Sequence, residues 1–108
     1  MILETKEWDN LLLAYITQQE ANLENADALK AELFELIDKG YKRIVLQFDI
    51  VTYVDSSFLG AMVSALKYAL SNGGDIFLTG LAKDISNMLQ LIRMDKVFKI
   101  YATPLDVQ

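Results

Sequence analysis

The chain alternates short apolar runs with longer amphipathic stretches, and this alternation limits its fold more than any other feature. RIVLQF at residues 43–48 and DIFLTG at residues 75–80 are rich in apolar residues and too short for helices. Such runs are typical of buried strands. Because a helix is the usual connection between two parallel strands, the alternation predicts an α/β domain.

Three stretches repeat apolar residues with helical spacing. The first starts after Asn22 and ends at Gly40, a residue suited to the left-handed conformation after a helix. The second follows YVDSS and ends at residues 72–74, and the third starts near Asp84, which is placed to cap it. The residues predicted to face the core are Leu23, Ala26, Leu29, Leu33 and Ile37, then Leu59, Met62, Val63, Leu66 and Leu70, then Ile85, Met88, Leu89 and Ile92.

The remaining apolar runs lie at the two ends of the chain. ILETKEW and LLLAYI are separated by Asp9 and Asn10, which predicts a hairpin, and VFKIY at residues 97–101 predicts a last strand. The order is β, β, α, β, α, β, α, β. We therefore expect one domain over residues 1–108, with a mixed sheet of an N-terminal hairpin followed by parallel strands, and helices packed against it.

Composition excludes several classes of function. The chain has no histidine and no cysteine, so a Ser-His-Asp triad, a thiolate nucleophile and a disulfide framework are all excluded within it. With 15 acidic and 10 basic residues, it should repel nucleic acid. The start MILETKEW lacks the pattern of a signal peptide, and the apolar run LLLAYI is far shorter than the roughly 20 residues of a membrane span. We expect a cytoplasmic protein without membrane contact, catalytic residues, metal or cofactor.

The stretch YVDSSFLG places three polar residues at the start of the second predicted helix. Asp55 or Ser56 is expected to cap the helix, since such residues accept hydrogen bonds from its first free amides. Ser57 is expected to face outward, where a hydroxyl is accessible but lacks a base to activate it. A helix amino terminus favours an anion, so Ser57 suits the role of phosphate acceptor better than that of nucleophile. Its face of the helix continues through Gly60, Ala61, Ser64 and Tyr68.

Residues 43–80 resemble the core of the STAS domain of bacterial anti-sigma factor antagonists. The pattern of that family is an apolar strand, an Asp, a short apolar link, and then Asp-Ser-Ser/Thr-Gly-Leu-Gly opening a helix that ends in Gly-Gly, and this chain matches it except at position 58. The resemblance extends over nearly the whole chain and implies a single STAS domain over residues 1–108. It implies that Ser57 is phosphorylated by a serine kinase that is also the anti-sigma factor, and that a separate serine phosphatase resets it. A monomer or weak dimer is expected.

Two positions depart from the pattern of that family. Phe58 stands where the family has glycine, and it is expected either to fill a partner's pocket or to pack over Met62. Asn22 aligns with an Asp of the family, beside the acceptor, and can also cap the first helix. The small side chains after Phe58 leave either a flat docking face or a close contact with a neighbouring helix. The residues expected to bind the partner are Asn22, Asp55, Ser56, Phe58, Gly60, Ala61 and Ser64.

Two other interpretations stay open at this stage. One is a STAS scaffold, or a subunit of a signalling assembly or lipid-transport complex, in which Ser57 is never phosphorylated. The other is a receiver-like domain phosphorylated on Asp49, at the end of RIVLQFD. Receiver chemistry requires Mg²⁺ held by further acids, and the strand LLLAYIT is instead followed by Gln18, Gln19 and Glu20.

Overall fold

A computed structural model describes residues 1–107 of the chain. The elements alternate as the periodicity predicts, with two additional short strands. The strands are β1 (Leu3–Trp8), β2 (Leu11–Ile16), β3 (Glu20–Ala21), β4 (Arg43–Gln47), β5 (Tyr53–Val54), β6 (Asp75–Thr79) and β7 (Lys99–Tyr101). The α-helices are α1 (Leu23–Asp38), α2 (Ser56–Ser71) and α3 (Lys83–Leu91), and short 3-10 helices cover Met94–Lys96 and Pro104–Asp106.

The main sheet has five strands in the order β1-β2-β4-β6-β7. The β1–β2 hairpin is antiparallel, with Leu3 opposite Ile16, and its turn contains Asp9 in the left-handed region at φ 57°. All other neighbours in this sheet pair in parallel. The predicted mixed sheet and its initial hairpin are confirmed.

The two faces of the sheet bury different sets of side chains. One face joins the helices in a large core that includes Leu46 and Leu78 from the strands and Leu29 and Leu33 from α1. Alternate strand residues point to the other face and form a smaller cluster. That smaller cluster contains Leu11, Leu13, Val45 and Phe77, with Tyr15, Tyr101 and Val107 packed against it. Among the described residues, no α-helix contributes to it, and we call this side of the sheet the helix-free face.

Three apolar side chains predicted to face the core are exposed instead. Leu23 is 70% exposed, Leu70 is 55% exposed and Ile92 is 46% exposed. In α2 the buried stripe consists of Phe58, Ala61, Met62, Ala65, Leu66 and Ala69, so the helix turns its alanines inward. Alanine allows a helix to approach its neighbours closely. The sequence prediction followed the largest apolar side chains and therefore left these alanines out of the buried stripe. Leu23 and Ile92 lie at helix ends, where the packed surface stops.

Two local expectations at element ends also differ from the structure. Asp84 does not cap α3, because the N-cap is Ala82 and the Asp84 carboxylate accepts from the amide of Ile85 at 3.0 Å. Strands β3 and β5 form a parallel pair of two residues each, which is too short to show any periodicity in the sequence. Within residues 1–107, no helix is both long and apolar enough to cross a bilayer.

Replacing Gly80 with alanine is expected to destabilise the domain more than replacing Gly73. Both glycines have positive φ, +71° at Gly80 and +80° at Gly73, so alanine costs about 1–2 kcal/mol at either site. A Cβ at Gly80 would also collide with the carboxylate of Asp49, whereas at Gly73 it would meet open space. Urea unfolding measures the free energy of unfolding of both variants. An equal decrease in the two would show that the contact with Asp49 adds nothing.

Candidate functional site

One carboxylate holds the amino ends of both long helices. Asp55 Oδ1 accepts a hydrogen bond from the Phe58 amide at 2.9 Å, which caps α2. Its Oδ2 accepts from the Leu23 amide at 2.9 Å, in the first turn of α1. The capping role predicted for Asp55 is confirmed. Ser56, the alternative cap, is instead the first residue of α2 and is exposed. Asp55 therefore sets the relative position of the two helix starts.

Asn22 caps α1 next to this junction. Its Oδ1 accepts from the Glu24 amide at 3.1 Å, as expected for a residue that replaces an Asp of the related pattern. The preceding residue, Ala21, accepts at its carbonyl from the Asp55 amide at 3.0 Å, in continuation of the β3–β5 pairing. These hydrogen bonds join the end of β3, the end of β5 and both helix starts in one corner.

Ser57 lies in the first turn of α2, directly after this corner. Its side chain is half-buried, between the exposed Ser56 and the buried Phe58. The amino end of a 16-residue helix carries the partial positive charge of its unpaired amides. The position therefore combines a partly accessible hydroxyl with an environment that tolerates a nearby anion.

Phe58 and Ala61 belong to the core and not to the exposed surface. Phe58 is 0% exposed and Ala61 is 8% exposed, and both lie in the same cluster as Met62. Of the two expectations for Phe58, the inward packing is correct, and its side chain cannot fill a partner's pocket from this position. The reason is the helical phase, which turns Phe58, Ala61 and Ala65 together toward the interior.

The rest of the α2 face that carries Ser57 is exposed at one end and packed against α1 at the other. Gly60 is exposed, with no atom within 4 Å of where a Cβ would be, so this part of the face is open. Ser64 is half-buried. Further along, Tyr68 stacks on Phe34 of α1 with ring centroids 4.2 Å apart and donates a hydrogen bond to Asp38, which raises the pKa of Tyr68. The face is open to solvent only near the helix start, and farther on it contacts the neighbouring helix.

Two exposed apolar residues beside the corner were missed by sequence reasoning. Leu23 is 70% exposed in the first turn of α1, and Tyr53 is 52% exposed in β5. The alternation of exposed Tyr53 with buried Val54, and of exposed Glu20 with buried Ala21, is the signal that marks this edge. This alternation spans only two residues in each strand, so it can be recognised only once β3 and β5 are seen to pair.

The surface around the corner is acidic. Residues 17–25 and 50–64, which build it, contain Glu20, Glu24 and Asp55 and no lysine or arginine. A basic partner surface is its electrostatic complement. We call the exposed area formed by Asn22, Leu23, Tyr53, Ser56, Ser57 and Gly60 the Ser57 surface.

The acids that receiver chemistry would require are not gathered around Asp49. Its carboxylate lies against the backbone of Gly80, and residues 1–107 contain no group of three or more acidic side chains placed to hold a metal ion. The structure thus gives the receiver interpretation no cation site, whereas the Asp-Ser-Ser stretch forms a defined corner.

A mixed five-stranded sheet with a capped serine corner at the start of its second helix is the architecture of a STAS domain. The STAS domain family model matches residues 3–106. The chain belongs to the STAS domain family.

Relatives with known names agree with this assignment. A protein of Thermotoga maritima named "Putative anti-sigma factor antagonist" is 37% identical over 86 residues, which cover 79% of this chain and 76% of that protein. The "Putative anti-sigma factor antagonist BtrV" of Bordetella bronchiseptica is 27% identical over 85% of this chain and 78% of its own length. A crystal structure of a Thermotoga maritima protein of the same description superposes with a TM-score of 0.85 at 30% identity, covering 96% of this chain and 89% of that one.

Proposed function

We propose that this chain is an anti-sigma factor antagonist that works by partner switching, with Ser57 as its phosphate acceptor. In its unphosphorylated form it binds an anti-sigma serine kinase and thereby releases a sigma factor. Phosphorylation of Ser57 by that kinase breaks the complex, and a serine phosphatase restores the binding form. The observation that carries the proposal is the position of Ser57, partly accessible in the first turn of α2 and beside a corner fixed by Asp55.

The physical basis of the switch lies at the interface. A phosphate adds about −1.5 to −2 charges, while the helix dipole stabilises such a charge by only about 0.3–1 kcal/mol. Asp55 and the acidic side chains around it oppose the added charge, so a large refolding of the domain is not expected. A partner that covers Ser57 would have to desolvate the phosphate, which can cost several kcal/mol, and each 1.4 kcal/mol lowers affinity tenfold.

The Ser57 surface also suggests how the partner is held. Leu23 and Tyr53 offer apolar contact area on either side of the corner, while Glu20 and Glu24 supply negative charge. A basic partner with an apolar centre fits both features. Asn22, Ser56, Gly60 and Ser64 remain proposed contacts, with Asp55 acting through the positions of the helix starts. The partners act on transcription, so the proposal places the protein in the cytoplasm.

Phosphorylation of Ser57 is tested with ATP and the serine kinase encoded nearest to this gene. We expect one phosphate on the wild-type chain, located at Ser57 by mass spectrometry and absent in Ser57→Ala. Ser56→Ala is the matched control, since it removes the adjacent, exposed hydroxyl, and it should be phosphorylated normally. Phosphate on Asp49, lost in Asp49→Asn, would instead support a receiver.

Binding is tested with the same kinase by titration calorimetry. We expect Ser57→Asp to weaken the complex at least about tenfold and Ser57→Ala to leave it nearly unchanged. Firm binding that is indifferent to Ser57→Asp, without phosphate transfer, would support the scaffold alternative. Phe58 no longer favours that alternative, because its side chain lies in the core and does not shield Ser57.

A further inference from the structure

The end of the chain lies over the helix-free face of the sheet. It leaves the sheet after β7, which is the strand at one edge. Residues 103–107 then share a groove of about 260 Å³ with the β1–β2 hairpin at the other edge. The groove is lined by Thr103, Pro104 and Leu105 from this end and by Lys6, Trp8 and Leu13 from the hairpin. Val107 packs against the small apolar cluster of the same face. We call residues 103–107 the C-terminal strap.

No hydrogen bond within residues 1–107 attaches the strap to the sheet. The last main-chain hydrogen bond of the sheet edge runs from the Gly80 amide to the Ala102 carbonyl at 3.3 Å, one residue before the strap begins. Inside the strap, the Asp106 carboxylate accepts from the Thr103 amide at 3.1 Å and from its hydroxyl at 3.2 Å, and two main-chain hydrogen bonds close the 3-10 turn. These bonds preserve the shape of the strap without attaching it. Apolar packing, above all that of Val107, holds it in place.

The strap closes the part of the apolar cluster that lies on β2 and β4. Val45 is 0% exposed, although no α-helix among the described residues covers this face. The ring of Phe77 has a cover of its own, because the Arg43 guanidinium and the Lys99 ammonium lie 5.5 Å and 5.8 Å from its centroid. Val45 instead pairs with Leu13, which lines the groove beside the strap. Exclusion of water from Val45 and Leu13 therefore depends on the strap.

We propose that the C-terminal strap is a hinged cover that opens as one unit at Ala102 and exposes the apolar cluster while the rest of the domain stays folded. A segment with few buried contacts opens at a lower free energy than the core. The bonds between Thr103 and Asp106 survive opening because they are internal to the strap, so closing does not require the segment to refold. The open form presents Leu13 and Val45 to solvent. This device does not depend on the function proposed above.

A single engineered thiol reports the opening, since the chain contains no cysteine. Val45→Cys places the thiol beneath the strap. Leu46→Cys is the matched control, because Leu46 is also 0% exposed but belongs to the core on the helix side. In the full 108-residue chain without denaturant, the thiol reagent DTNB should react with Val45→Cys at least about tenfold faster than with Leu46→Cys. Equal rates would overturn the proposal. If Val45→Cys does not fold, Leu13→Cys and Leu12→Cys provide the same comparison on β2.

Substitutions in the strap separate its opening from a general loosening of the domain. Val107→Ser removes the side chain that packs on the cluster, so it should accelerate the labelling of Val45→Cys about fivefold or more. Leu105→Ser is the control within the strap, since Leu105 is 77% exposed, and it should leave the rate nearly unchanged. Neither substitution should alter the labelling of Leu46→Cys. A rate that is indifferent to Val107→Ser, or that responds equally to Leu105→Ser, would contradict the hinged cover.

Discussion

Replacing Phe58 with alanine is expected to destabilise the domain by about 3–5 kcal/mol, the range for truncation of a buried phenylalanine. The side chain is 0% exposed and belongs to the main core with Met62 and Ala65. Its removal loses the burial of the ring and leaves a cavity that close-packed neighbours fill only in part. Urea unfolding followed by circular dichroism measures the loss.

The matched control for Phe58 is its neighbour Leu59, which is half-buried. Leu59→Ala should cost clearly less than Phe58→Ala, because part of its side chain is already in water. Phe58→Gly, the residue of the family pattern, should cost about 1 kcal/mol more than Phe58→Ala, owing to the lower helix propensity of glycine. A loss below about 1 kcal/mol for Phe58→Ala would mean that the ring is not part of the core in solution.

Replacing Asp55 with alanine is expected to destabilise the domain by about 2 kcal/mol, since two amides lose their acceptor and each cap is worth about 1 kcal/mol. The amides are those of Leu23 and Phe58, one in each helix. Hydrogen exchange provides the specific signature, because both amides should exchange faster in Asp55→Ala. Asp55→Asn should fall between this variant and wild type, since its side chain retains one acceptor oxygen.

Asn22→Ala serves as the single-cap control for Asp55. Asn22 accepts from one amide, that of Glu24, so its loss should cost about 1 kcal/mol and accelerate exchange in α1 alone. If Asp55→Ala cost no more than Asn22→Ala, or accelerated exchange in only one helix, Asp55 would not be the common cap of α1 and α2. The comparison also matters for function, because Ser57 follows directly on this cap.

Much of the fold was predictable because the strands and helices carry their own periodicity. RIVLQF and DIFLT form neighbouring parallel strands, and the α1 residues Ala26, Leu29, Leu33 and Ile37 are buried as their spacing predicts. The capping residues Asn22 and Asp55 were also predictable from a short polar side chain before a helical stripe, although the same rule failed at Asp84. These features depend on local geometry, which a few consecutive residues determine.

The rotation of α2 was not predictable from the same information. Leu70 matches the spacing of the apolar stripe as well as Ala69 does, but Ala69 is buried and Leu70 is exposed. The choice depends on which side of the helix contacts the sheet and α1, and small side chains permit the closer approach. The same rotation placed Phe58 in the core and left Leu23 and Tyr53, from other segments, as the apolar part of the Ser57 surface.

The sequence by itself determined the class of the domain, the order of its elements and the serine at the start of α2, because periodicity, caps and the Asp-Ser-Ser stretch are local patterns. Only the tertiary structure decided which side chains share a surface. It brought both amides to Asp55, turned Phe58 inward and aligned Glu4, Tyr15, Gln47 and Thr79 across four strands. Strand register and helix rotation arise from packing between distant segments, and no single stretch of the chain contains that information.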